Sequence, residues 1–258
     1  MGSVRLPAAA GTFYPRSADL LRRTIADLLV AADPPDFDVT PAMLIVPHAG
    51  YGYSGPVAAT AYRCLNALPS PPRRFLLLGP SHYVGFTGVA ASGSDAFQTP
   101  LGLVATESRP PASCTDNPSA HASEHSLEVQ LPFLQVLLDA FTIQPLLTGD
   151  IRAEAAADVL DDALDDHHFG LISSDLSHYL AYEEARTRDR RTASAITHLR
   201  AEDLHRGDAC GITAVQAALL VARRRNWECG LLDLRNSGDT SDDRSRVVGY
   251  GAFVIGPS

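Results

Sequence analysis

No lysine occurs among the 258 residues, so all 21 basic side chains are arginine. That absence removes a Schiff-base lysine and the phosphate-binding lysine of a P-loop, and with them PLP chemistry and Walker-type nucleotide hydrolysis. Arginine is also outnumbered. Thirty acidic residues leave a formal net charge of -9, which disfavours a polyanionic backbone as partner because such binding draws on clustered cations. The only basic run, Arg223-Arg224-Arg225, closes an apolar stretch, where cations complement the negative end of a helix dipole.

Cysteine is scarce and scattered. The four residues Cys64, Cys114, Cys210 and Cys229 form no CxxC pair, which argues against a zinc ribbon or a thioredoxin motif and fits a reducing compartment. Long apolar runs are missing too: the longest, at 214–222, contains Gln216 and falls short of the ~20 residues a bilayer span requires. There is no charged start leading into an apolar segment, no G-x-S-x-G nucleophile elbow and no G-x-G-x-x-G after a strand. Neither a Gly/Ser linker nor an internal period divides the chain. With 45% hydrophobic residues, these absences describe a soluble, cytoplasmic protein folded as a single domain over residues 1–258, without nucleic-acid or membrane partners.

What is present alternates between two periods. Leu20, Leu21, Ile25, Leu28 and Leu29 share a helical stripe over 17–32, with Ser17 as cap and Pro35 beyond the end. Compact apolar runs at 43–46, 75–78, 143–147, 171–173, 231–234 and 247–255 read as buried strands. Between them, 153–164, 182–199 and 212–225 have helical spacing, and a further helix is expected from Pro56, whose missing N–H suits a first turn. The pattern predicts an α/β fold with a central, mostly parallel or mixed sheet flanked by helices. In such sheets the ligand crevice lies beyond the carboxyl ends of the strands.

Metal-ligand residue types cluster at those ends. Pro47-His48-Ala49-Gly50-Tyr51, Pro80-Ser81-His82 and Ser174-Asp175-Leu176-Ser177-His178 follow strands, and Ala209-Cys210-Gly211 precedes a helix. Imidazole, thiolate and carboxylate together suit iron, zinc or copper. Each residue also has a plainer role: a histidine in a hydrogen-bonded loop, an Asx-turn at Asp175, a small buried Cys210. Helix-terminal amides would favour thiolate at Cys210. A competing motif, His121-Ala122-Ser123-Glu124-His125, spells the H-x-x-E-H of a zinc peptidase. It needs one helix through both histidines, whereas Ser123 is the better helix start, leaving Glu124, His125 and Glu128 to line the pocket.

These motifs carry a family likeness. Ala10-Gly11-Thr12-Phe13-Tyr14-Pro15, Pro47-His48-Ala49-Gly50-Tyr51 with Ser54-Gly55-Pro56, Gly79-Pro80-Ser81-His82, Glu124-His125-Ser126-Leu127-Glu128, the Ser173 to His178 run and Cys210-Gly211 resemble the Memo family over nearly the whole chain. Prokaryotic members are named AmmeMemoRadiSam system protein B, which implies AMMECR-type and radical-SAM proteins as partners. The resemblance implies a fold like class III extradiol ring-cleavage dioxygenases, with non-haem iron as cofactor and copper or zinc as alternatives. It also implies His48 and His82 as metal ligands and His178 as the acid/base histidine. Cys210 falls where the dioxygenases place a liganding glutamate, a departure that favours softer metals and speaks against ring cleavage. The expectation is a metal-binding, redox-type protein in which His48, His82 and Cys210 hold the ion and Asp175 orients His178. The alternatives are a non-enzymatic pocket for a peptide, small molecule or partner, with Phe13, Tyr14, Tyr51 and Tyr53 as aromatic contacts, and a zinc peptidase using His121 and His125.

Overall fold

Side chains that alternate along the central strands fall into two separate cores, and this alternation sets the layering. A computed structural model describes residues 2–258. Its strands are β1 (Val4–Arg5), β2 (Met43–Val46), β3 (Arg74–Pro80), β4 (Val89–Ala91), β5 (Ala96–Thr99), β6 (Gly102–Thr106), β7 (Thr115–Asp116), β8 (Thr142–Thr148), β9 (His168–Ser173), β10 (His178–Leu180), β11 (Glu228–Asn236) and β12 (Val247–Gly256). Its helices are α1 (Ala18–Ala31), α2 (Tyr51–Arg63), α3 (Pro118–Ala122), α4 (Leu131–Leu137), α5 (Ala153–Ala163), α6 (Tyr182–Thr197) and α7 (Ile212–Arg224).

Strands β6, β8, β3, β9 and β2 lie side by side and parallel, and β12 joins β2 antiparallel with β11 beyond it. Leu44, Val46, Phe75, Leu77 and Leu171 face a core shared with α1, α2 and α4. Their neighbours Met43, Ile45, Leu76, Leu78 and Ile172 face a second core shared with α5, α6 and α7. Strands buried on both faces read as continuous apolar runs, which is why these were visible in the sequence. Each such side chain stabilises the fold by roughly 1.5–3 kcal/mol.

Helix α1 begins as the sequence predicts, with Ser17 Oγ accepting the Leu20 amide. Helix α2 does not. It starts at Tyr51, five positions before Pro56, which lies inside it. The one amide that proline removes would have bonded the Gly52 carbonyl. The segment expected to be helical from Ser123 is instead split: α3 ends at Ala122, a 3-10 turn spans Glu128–Gln130, and only then does α4 begin. At the end of α7 the arginines meet α5, Arg224 binding Asp158 at 2.8 Å and Arg225 binding Asp161 at 2.7 Å. All four cysteines are free. Among the described residues no helix is long and apolar enough to cross a membrane.

Candidate metal centre

Three parallel strands end at one place. β2 stops at Val46 before Pro47, β3 at Pro80 and β9 at Ser173, so the residues just beyond them are His48, His82 and Asp175. The stretch between α3 and α4 crosses above and supplies His125. One ring nitrogen from each of His48, His82 and His125 lies within 4.8 Å of the others, a group able to hold a metal ion. The His82 and His125 rings stack at 4.7 Å, and His48 stands edge-on to both at 5.1 and 5.4 Å. Phe13 stacks on His125 at 4.2 Å.

Hydrogen bonding decides which nitrogen each ring presents. Ser173 Oγ gives its single proton to the Ser126 carbonyl at 2.6 Å, so it can only accept from His48 Nδ1 at 2.9 Å and from Gln130 Nε2 at 2.9 Å. His48 Nδ1 therefore carries the proton and Nε2 keeps its lone pair. His82 Nδ1 faces Glu124 Oε1 at 2.9 Å, and the same oxygen lies 3.3 Å from His125 Nδ1. His178 Nδ1 donates to the Leu176 carbonyl at 2.8 Å. The His48, His82 and His178 rings are held with Nδ1 protonated, leaving Nε2 as the ligand or base, while His125 Nδ1 stands 3.3 Å from both Glu124 Oε1 and the Tyr83 hydroxyl.

A second buried carboxylate holds the crossing segment down. Glu128 accepts the amides of Ala8 and Ala9 at 2.8 and 2.9 Å, the Tyr14 hydroxyl and the Arg5 guanidinium. Arg5 also binds the carbonyls of His121 and Glu124. The Ala10 to Pro15 motif is thus clamped to the segment carrying Glu124 and His125, which sets Phe13 on the His125 ring. Gly79 lets that segment approach β3, because a Cβ there would lie 2.9 Å from Leu127. Gly211 lets Cys210 press on β9, since its Cβ would stand 2.8 Å from the Ser173 carbonyl.

Burial, followed by the neighbouring His82 and His125, pushes His48 well below the usual histidine range. Burial likewise takes His125 down to about 4 against the pull of Glu124. For Glu124, burial works upward, but hydrogen bonds from His82 and Ser126 outweigh it and leave the carboxyl at about 2. Two imidazoles whose charged form is disfavoured, His48 and His125, thus stand beside one fixed carboxylate, which favours a cation at the lone pairs.

Two expectations are corrected here. Asp175 does not orient His178. Its carboxylate accepts the His48 amide at 2.7 Å and the Ala49 amide, while a backbone carbonyl orients His178. Burial, only partly opposed by those amides, raises Asp175 to about 7. Nor do amides prevail at Cys210: burial and then the Asp175 charge outweigh the Asp175 and Gly211 amides and push the thiol up to about 12. Its Sγ nevertheless sits 3.1 Å from His48 Nε2. The next residue after His178, Tyr179, is held at φ 60°, a left-handed conformation costly for a bulky side chain.

The peptidase geometry is absent. Helix α3 ends before Glu124, and His121 is buried with Nε2 on the Ala90 carbonyl at 3.0 Å, outside the His48, His82 and His125 group. Tyr14 and Tyr51 are core residues, the latter bonding the Val129 carbonyl at 2.6 Å. His125 was legible in the sequence as a pocket-lining residue or as a ligand of the competing peptidase motif, not as a partner of His48 and His82; the signal for that was its adjacency to Glu124.

The family model described as Memo-like protein matches residues 5–254. The chain belongs to the Memo family. Among curated relatives, a MEMO1 family protein of Aquifex aeolicus is 36% identical, covering 98% of this chain and 99% of that protein. A second, from Methanopyrus kandleri, is 35% identical over 97% of this chain and 98% of its own. A third, from Archaeoglobus fulgidus, is 34% identical over 98% and 99%. In this Memo-family chain the histidine cluster lies where the segments 47–51, 79–82 and 124–128 converge.

Proposed function

We propose that His48, His82 and His125 hold a non-haem iron ion, that Cys210 completes the ligand set, and that the protein is a metal-dependent oxidoreductase. The supporting observation is the convergence of three imidazoles, two of which, His48 and His82, are bonded through Nδ1 so that Nε2 is unprotonated. Two ligands of one tetrahedral ion, an imidazole nitrogen and a sulfur, stand about 3.5 Å apart. Cys210 Sγ stands 3.1 Å from His48 Nε2, a hydrogen-bond contact outside the three-histidine group, and would have to draw back slightly to share the ion. The donor set suits iron, copper and zinc; iron is placed first by the resemblance to extradiol dioxygenases. A bound redox-active ion would supply Lewis acidity and electron transfer toward an oxygen-bearing substrate.

The chain's own residues do the rest. Glu124 fixes the His82 ring and balances charge. His178, with Nδ1 on Leu176 and Nε2 unengaged, accepts or returns a substrate proton. Phe13 covers one face of His125 and excludes water there. Metal analysis of anaerobically purified protein tests the assignment against the triple variant His48→Ala, His82→Ala, Cys210→Ala. Equal metal content in both would overturn it, and His125→Ala and Cys210→Ala made singly rank the remaining two ligands.

A second reading, a binding pocket without turnover, is favoured by exposed aromatic surface. Tyr53 and Tyr83 are 50% and 58% exposed, and the Tyr83 hydroxyl reaches His125 Nδ1 at 3.3 Å. A peptide or an AMMECR-type or radical-SAM protein would be the occupant. Co-purification of such a partner, together with no oxygen uptake by metal-loaded protein, would favour this reading.

A further inference from the structure

Two adjacent residues of α6, Arg188 and Asp189, reach two different loops of the candidate metal centre. Arg188 Nε donates to Asp208 Oδ1 at 2.9 Å. Asp208 is buried and bonds His205 twice: its amide donates to the His205 carbonyl at 3.0 Å, and its Oδ2 accepts the His205 amide at 2.8 Å. Gly207 takes the third position of this turn at φ 89°, the left-handed value that a type II turn requires there. Cys210 leaves the turn two residues later, and its amide donates to the Asp175 carbonyl at 3.2 Å. The second loop is held by the next residue of the helix. Asp189 Oδ1 accepts the Ser177 amide at 3.0 Å, one position before His178.

Asp189 is also buried, and its Oδ2 has no hydrogen-bond partner. Gly249 leaves room for that oxygen, with which a Cβ at this position would collide. Burial pushes the Asp189 carboxyl up to about 6, against the pull of Ser177 and of the Arg188 charge. A buried carboxylate of this kind depends on a compensating cation, and without one it becomes a weaker acceptor for the amide it holds. One guanidinium therefore serves two buried carboxylates, each gripping a different loop. We propose that Arg188 is a positioning residue for both, fixing the turn that delivers Cys210 and, through Asp189, the loop that delivers His178. The two side chains are thereby kept in register across the site. This inference rests on reading Cys210 and His178 as parts of the metal centre.

The test is site-resolved alkylation of the metal-free full chain with iodoacetamide, read by mass spectrometry. Cys210 lines a cavity of about 500 Å³ through which the reagent reaches it, and the half-buried Cys114 and Cys229 serve as controls in the same molecule. In Arg188→Met, Cys210 is expected to react at least about tenfold faster, as loss of a charge-assisted hydrogen bond allows, with both controls unchanged. In the same variant the nitrogen NMR spectrum of the His178 ring should pass from a single Nδ1-protonated form to a mixture of tautomers. Arg188→Lys should restore most of both effects. If Arg188→Met fails to fold, Arg188→Gln, which keeps a donor but no charge, carries the same two readouts. An unchanged Cys210 rate, acceleration of all three thiols together, or a His178 ring that keeps its single form would overturn the proposal. Because the chain carries no metal in this experiment, its failure is distinct from failure of the metal assignment, which the metal analysis decides.

Discussion

Glu124 holds His82 at two points: Oε2 accepts the backbone amide at 2.6 Å and Oε1 accepts the ring Nδ1–H at 2.9 Å. The same Oε1 lies 3.3 Å from His125 Nδ1, so one buried carboxylate fixes the His82 ring and stands beside a second ring from a different segment. Such partners raise ligand basicity and restrict ring rotation, and their loss typically costs 10–100-fold in metal affinity. Glu124→Gln keeps the size and one acceptor oxygen but removes the charge. Metal affinity is expected to fall within roughly that 10–100-fold range, read by competition with a chromophoric chelator, while the far-ultraviolet spectrum stays unchanged. Unaltered affinity would show that these rings bind no ion through Nε2.

The buried pair of Arg5 and Glu128 is expected to dominate the stability of the site-bearing segment. Glu128 is fully buried and has Arg5 as its only cationic partner among the described residues, with Arg5 itself 5% exposed. Removing one member of such a pair leaves an uncompensated charge and costs about 3–5 kcal/mol. Arg5→Met should show that loss in urea unfolding. Tyr14→Phe, which removes one hydrogen bond to the same carboxylate, should lose about 1.5–3 kcal/mol. If Arg5→Met unfolds like the wild type, the clamp on residues 121–128 is not formed in solution.

This clamp also explains what the sequence could and could not disclose about the site. His48 and His82 are legible because each follows a short apolar run that terminates at a proline, and strands buried on both faces announce themselves by composition alone. His125 sits on an irregular segment whose position depends on Arg5 and Glu128, partners 123 positions apart. No local pattern encodes that pairing. The short strands β1, β7 and β10 escape for the same reason, since two or three residues carry no period. Pro56 misleads because α2 begins a full turn earlier, at Tyr51, than the first-turn rule for proline places it. At Asp175 and His178 the spacing suggested a pair, yet neighbours in sequence found separate partners, a choice made by tertiary packing rather than by the loop.

Acid should weaken the far edge of the sheet through Glu107. Its carboxyl is held at about 2 in the folded chain against an ordinary value of 4.5, with Arg74 as the largest cause. A depressed carboxyl contributes stability that is fully present above the unfolded value and is lost as pH falls through the folded one. The window therefore runs from about 4.5 down to about 2. Because Arg74 is partly exposed, solvent screening keeps the contribution modest. Glu107→Gln should be less stable than the wild type at neutral pH, with the gap closing across that window in denaturant titrations. A gap independent of pH would place the cost in packing instead of charge.

Metal uptake should depend on pH through Cys210. With burial and the Asp175 carboxylate holding its thiol at about 12, the side chain is protonated in the metal-free protein at any pH the fold tolerates. A cation that takes Sγ as ligand must displace that proton, because the thiolate is the binding species. The sign follows directly: each unit rise in pH below the thiol value should strengthen binding by up to about tenfold from this group alone. His48 and His125 add no such slope near neutrality, since burial already holds both far down the scale. Cys210→Ser should therefore flatten the pH dependence of metal affinity between pH 7 and 9 while leaving the ion bound by the histidines. Identical slopes in the two proteins would remove Cys210 from the ligand set and leave His48, His82 and His125 as the whole of it.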